Sequence, residues 1–189
     1  MKRIGGLLES IADLENLRLA FAKACRGKRD HAVTLQFSQE LDKQLDNMRR
    51  CILSEQHCVG KFHQFVVHDP KMRIITAPCF EERVLHHAIM NVCEPIFERR
   101  LIDDTFACRQ GRGRIAALHR VQTFARGSAA SLKLDVRKYF DSIPHDRLKL
   151  QLRRVIKDQA VLRLFDLIIN AYRGEQKIAT CTIGIRLRC

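Results

Sequence analysis

Two extended segments on either side of His68-Asp69-Pro70-Lys71, running at once into a long helical stripe, constrain this chain more than any other feature. Phe62, Phe65 and Val67 precede the turn-like tetrapeptide and Arg73-Ile74-Ile75-Thr76-Ala77 follow it. Residues 61–77 therefore read as a hairpin, closed by Pro78. From Glu81 to Phe97, apolar residues at Val84, Leu85, Ala88, Ile89, Val92, Ile96 and Phe97 recur at helical spacing. Pro95 is expected to kink or end that helix early. Helices with a hairpin set among them make an α+β, helix-rich fold.

Helical signals fill most of the remaining length. Leu7, Ile11, Leu14, Leu17, Leu19, Phe21 and Ala22 mark a helix from Leu7 to Ala24, broken by Cys25-Arg26-Gly27-Lys28-Arg29-Asp30. Ser38 is a candidate cap for a second helix carrying Leu41, Leu45, Met48, Ile52 and Leu53. A glycine-rich turn at Arg109-Gln110-Gly111-Arg112-Gly113 precedes a helix from Ile115 to Phe124. Two more helices are expected over 146–157 and 160–172.

Charge narrows the partners. Lys and Arg number 34 against 21 acidic residues, for a net charge of +13. Such an excess favours phosphate-rich partners through counterion release, although a basic solvated surface gives the same sum. No apolar run approaches the roughly 20 residues that span a bilayer, and Met1-Lys2-Arg3-Ile4-Gly5-Gly6 has no secretory signal pattern. The eight cysteines include no Cys-x-x-Cys pair; Cys51 with His57-Cys58 is the nearest approach to a metal cluster. Small buried thiols in a reducing cytoplasm account for them better.

Leu132-Lys133-Leu134-Asp135-Val136-Arg137-Lys138-Tyr139-Phe140-Asp141 carries the chemistry. It reads as a short apolar strand delivering one carboxylate, then an aromatic ring, then a second carboxylate. Carboxylate oxygen suits magnesium. The stretch resembles the first metal-binding motif of reverse transcriptases. Asp69-Pro70-Lys71-Met72-Arg73-Ile74-Ile75 resembles the fingers hairpin of the same family, and Arg109-x-Gly111-x-Gly113 its next segment. Arg83 to Ala88 and Glu94 to Glu98 also have the family's look. These segments occur in family order between about Ile4 and Tyr172, and the likeness is nearest to bacterial retroelement enzymes of the group II intron and diversity-generating kinds.

That resemblance implies right-hand polymerase fingers with an incomplete palm: a helical segment at 1–60, fingers at 61–130 and a partial palm at 131–189. It implies that Asp135 is catalytic and binds Mg2+ together with the carbonyl of Val136. Lys71 and Arg73 are expected on the incoming deoxynucleoside triphosphate, with Phe140 as the ring that excludes a ribose 2′-hydroxyl. Arg109 and Arg112 are expected on nucleic-acid phosphate. The implied reaction is RNA-directed DNA synthesis on an RNA template from a DNA primer, with a retroelement RNA as a further partner.

One family element is missing from the sequence. No Tyr-x-Asp-Asp tetrapeptide occurs, and Asp103-Asp104 lies upstream of the position where that pair belongs. Two-metal phosphoryl transfer needs those carboxylates. The expectation is a fragment inactive by itself, truncated or frameshifted near Gly174, with the apolar face of the Val161–Ile169 helix left uncovered. The competing class is a non-catalytic RNA-binding module derived from a reverse transcriptase. A DNA-binding regulator is weaker, because no helix-turn-helix signature stands out.

Overall fold

A computed structural model describes residues 3–57, 59–68, 72–136, 139 and 142–172, and the backbone of 186–188. Lys71, Phe140, Asp141 and Cys58 lie outside the described residues. The chain divides into two compact units, one of residues 1–95 with 145–173 and the other of residues 96–144 with 174–189. The architecture is helix-rich α+β.

The first unit holds α1 (Leu7–Ala12), α2 (Leu14–Ala24), α3 (Ala32–Gln39), α4 (Leu41–Leu53), β1 (Phe62–His68), β2 (Met72–Pro78), most of α5 (Phe80–Glu98), α7 (His145–Val155) and α8 (Gln159–Ala171). Its core is built from Ile11, Leu17, Leu45, Ile52, Val84, Ile89, Ile156, Val161 and Leu164. Phe37 and Phe80 meet edge to face at 5.3 Å, and Phe21 stacks on Phe37 at 5.5 Å. Asn16 ties three helices together: its Nδ2 donates to the Ile11 and Ala88 carbonyls, and its Oδ1 accepts from Asn91.

Several expected boundaries move, each for a local reason. The single helix expected from Leu7 to Ala24 is two, because Asp13 is extended (φ −62°, ψ 135°) and its carboxylate caps α2 by accepting from Glu15 and Asn16. Ser38 is not a cap. It lies inside α3, a helix absent from the sequence reading, and its hydroxyl donates back to the Leu35 carbonyl. Pro95 does not end α5, which runs to Glu98; near the C-terminus, only a short stretch of helix follows the lost N–H.

Asp158 joins the two ends of this unit. Ile4 and Ile156 form a parallel bridge, with Ile4 N–H donating to Val155 at 3.0 Å. One carboxylate oxygen of Asp158 then accepts from Leu7 and Leu8 at the start of α1, while the other accepts from Val161 in α8. α8 is consequently not bare on its apolar side: Val161, Leu162 and Leu164 are buried. The expectation that the helix would stand uncovered is corrected for Val161, Leu162 and Leu164, since α1 and α7 pack against it, while Leu167 stays exposed as expected.

The second unit contains α6 (Arg114–Ala125), β3 (Ser131–Lys133) and β4 (Arg186–Arg188). β3 and β4 pair antiparallel, Ser131 opposite Arg188. The strand expected to reach Asp135 stops pairing at Lys133. α6 buries none of its residues, and Ile115, Leu118, Val121 and Phe124 are all more than half exposed. Leu132, Leu134 and Val136 of this unit are exposed as well.

Candidate nucleic-acid interface

The hairpin is as expected, antiparallel with Phe62 opposite Pro78 and His68 opposite Met72. Side chains alternate between faces, so His63, Phe65, Val67, Arg73, Ile75 and Ala77 share one. Gln64, Val66, His68, Met72, Ile74 and Thr76 share the other. Two strands cannot bury either face, and Phe65, Val66, Met72, Ile74 and Ile75 are exposed. His63 stacks on Phe65 with ring centres 5.8 Å apart. Exposed rings beside Arg73 make a surface on which bases can stack while the guanidinium meets phosphate.

The base of the hairpin is fixed firmly. Cys79 N–H donates to Lys61 O at 2.8 Å, and Gly60 N–H donates to Glu82 Oε2 at 2.9 Å. Gly60 has φ +95°, a backbone conformation that favours glycine, and a Cβ there would also crowd Ala171 Cβ at 3.2 Å. The Glu82 side chain is fully buried; its other oxygen faces His86 Nε2 at 3.6 Å, and neither atom has a hydrogen bond among the described residues. Burial pushes the His86 imidazole below its ordinary pKa, Glu82 opposes that shift and His87 adds to it. Burial likewise lowers His57 and His87. Sequence gave no sign of this pair beyond the i, i+4 spacing of Glu82 and His86.

In the second unit, Arg109 and Arg112 share one turn but sit very differently. Arg109 is 6% exposed along its side chain. Its Nε donates to Glu98 at 2.6 Å, and Nη1 donates to the Ile102 and Thr105 carbonyls and the Thr105 hydroxyl. The guanidinium is therefore largely engaged in holding the 98–109 loop. Arg112 is more open: it reaches Asp103 Oδ1 at 3.0 Å and also donates to the Asp103 carbonyl. Arg120, a residue sequence reasoning passed over, forms a forked pair with Asp104, Nε to Oδ1 at 2.6 Å and Nη2 to Oδ2 at 3.3 Å. That pair holds the Asp104 carboxyl below its usual pKa through hydrogen bonding first and charge attraction second. Arg120 also lies 4.5 Å over the Phe124 ring.

Asp135 and Val136 follow β3 and are both exposed. Among the described residues no three His, Cys, Asp or Glu side chains are placed to hold a metal ion. Buried thiols behave as small apolar groups: Cys93 is fully enclosed, and burial pushes its pKa up to about 12. Among the described residues no helix is long and apolar enough to cross a membrane.

No protein-family model matches the chain. Several curated proteins do. It is 29% identical over 89 residues to the mitochondrial nuclear intron maturase 1 of Arabidopsis thaliana, covering 47% of this chain and 12% of that protein. Identity is 30% over 113 residues with an uncharacterized 91 kDa protein in a cob intron of Schizosaccharomyces pombe, covering 59% of this chain and 14% of the other. The COX1/OXI3 intron 1 protein of Saccharomyces cerevisiae is 24% identical over 132 residues, covering 66% and 16%. The chain thus spans between 12% and 16% of the length of these relatives. Its sequence relatives are intron-associated proteins, a maturase among them.

Proposed function

We propose that this chain is a reverse-transcriptase-derived, RNA-binding part of an intron-associated protein, acting by holding intron RNA and not by polymerising. The observation that carries this reading is the similarity to an intron maturase and to proteins named for the introns that contain them. The surfaces support it. The hairpin offers exposed rings beside Arg73, and the second unit has no Asp or Glu from Thr105 to Leu134 while holding Arg109, Arg112, Arg114, Arg120, Arg126 and Lys133. Phosphate contacts from such a stretch supply sequence-independent affinity, and stacking adds preference for unpaired bases. The test is photocrosslinking of thiouridine-substituted structured RNA to the purified chain, read by peptide mass spectrometry. Crosslinks should fall in 62–78 and 109–126; crosslinks confined to α3 and α4 would count against the reading.

A second reading keeps the polymerase role, favoured by the exposed Asp135 just after β3 in the family's motif order. Fingers at 61–130 and a partial palm at 131–189 belong to it. So do Mg2+ at Asp135 and Val136, triphosphate contact by Lys71 and Arg73, the sugar gate at Phe140, a bacterial retroelement origin and an RNA template with DNA primer. Its test is a longer version carrying a family palm with Tyr-x-Asp-Asp. There Asp135→Asn should abolish primer extension, and Phe140→Ala should raise ribonucleotide incorporation.

A further inference from the structure

The geometry points to a two-phosphate subsite in the groove between the 103–106 turn and α6, formed by Arg112 and Arg120 and occupied in the free protein by Asp103 and Asp104 as internal stand-ins for RNA phosphate. The inference rests on the RNA-binding reading and adds a site and a competitor to it.

Four observations converge on this groove. Its walls include Phe106, Ala116, His119 and Thr123 besides the two Asp–Arg pairs, so it is a shallow, open channel and not a closed cavity. Each arginine is held by one aspartate, and the Arg120–Asp104 pair is forked, the same two-pronged arrangement with which a guanidinium grips a phosphate. All four side chains keep substantial exposure: 35% for Arg112, 88% for Asp103, 46% for Arg120 and 42% for Asp104. Ion pairs this open are weakened by solvent screening, so a polyanion can displace them.

Sequence context supplies the last observation. Asp103 and Asp104 are the final acidic residues before the stretch from Thr105 to Leu134 that has none. They sit against the two arginines that line the groove, whereas Arg109 is already committed to Glu98 and the loop carbonyls. The contrast separates a structural arginine from two exchangeable ones. Exchange also has a function: weak or short RNA loses to the covalently tethered carboxylates, and only a backbone presenting several phosphates at once displaces both.

The test uses the full chain and a fluorescein-labelled single-stranded oligouridine short enough to lose to the tethered carboxylates in wild type, with anisotropy titrations over a range of salt. Three variants are compared: D103N/D104N, the equal-charge control D42N/D46N on α4, and R112Q/R120Q. Freeing two arginines for two phosphates should steepen the slope of log K against log salt by about 1.4 units on a single strand. D103N/D104N should show that steepening and D42N/D46N should not. In the R112Q/R120Q background, D103N/D104N should change the slope no more than the control does.

If wild type binds and D103N/D104N matches D42N/D46N, the subsite is wrong while RNA binding stands. An effect of D103N/D104N that persists without the two arginines overturns it equally. Should neither wild type nor D103N/D104N bind at low salt, both the subsite and the RNA-binding reading fail. Binding gained only on D103N/D104N supports the competitor.

Discussion

Asp158→Ala should destabilise the first unit about twice as much as a substitution at an ordinary helix cap. The carboxylate accepts from Leu7 at 3.0 Å and Leu8 at 3.3 Å, and on its other oxygen from Val161 at 3.5 Å. It therefore serves the starts of two helices that are remote in sequence. Losing one cap to alanine costs about 1 kcal/mol. Losing both predicts about 2 kcal/mol, with a little more from the negative charge at two helix starts. Asp13 supplies the internal standard, because it caps only α2, through Glu15 and Asn16. Urea unfolding followed by circular dichroism should place Asp13→Ala about 1 kcal/mol below wild type and Asp158→Ala about twice that far below it. Asp158→Asn keeps acceptor oxygen at one helix start only and should fall between. Equal losses for Asp158→Ala and Asp13→Ala would refute the double-cap reasoning.

Three further outcomes follow from the same structure. Stability should fall on acidification below about pH 6.5, the ordinary imidazole value. His57, His86 and His87 are all lowered by burial, so the unfolded chain takes up their protons first; stability is full above the unfolded pKa and declines until the folded values are reached. Urea midpoints measured across that range check it, and a flat profile would contradict it. Glu82→Ala should cost about 1–3 kcal/mol, because the Gly60 N–H at the hairpin base loses its buried acceptor; amide exchange at Gly60 should quicken in parallel. Leu118→Gln with Val121→Gln should reduce hydrophobic-dye binding while changing the unfolding free energy from urea titration by no more than about 0.5 kcal/mol, since neither side chain is buried.

The hairpin and the α4, α5, α7 and α8 helices were legible because their apolar residues repeat at the period of the element. Asp13 hid a helix break inside one such pattern: Leu7, Ile11, Leu14 and Leu17 keep their spacing across it, and only the backbone turns. α3 went unseen because its own pattern is weak, with Thr34 and Phe37 its buried residues. The cover over α8 depends on Asp158 and the Ile4–Ile156 bridge, contacts between opposite ends of the chain that no local pattern announces. The pairing of Ser131–Lys133 with Arg186–Arg188 is non-local in the same way.

Site residues divide along that line too. Arg109 and Arg112 look alike in sequence, as arginines flanking glycines, and only their partners separate them: Glu98 and loop carbonyls for one, the exposed Asp103 for the other. Asp103-Asp104, dismissed as a motif by its position, acquires a role only once Arg120 is seen against it. Asp135 was singled out by motif order, and the structure adds that it is exposed just after β3.

The most direct test of the central claim measures RNA binding and primer extension on the same purified chain. Binding of structured RNA should weaken steeply between low and moderate salt, as expected when Lys and Arg displace counterions from phosphate. No primer extension should occur with magnesium and deoxynucleoside triphosphates. Magnesium-dependent extension that disappears in Asp135→Asn, or RNA binding indifferent to salt, would contradict the account.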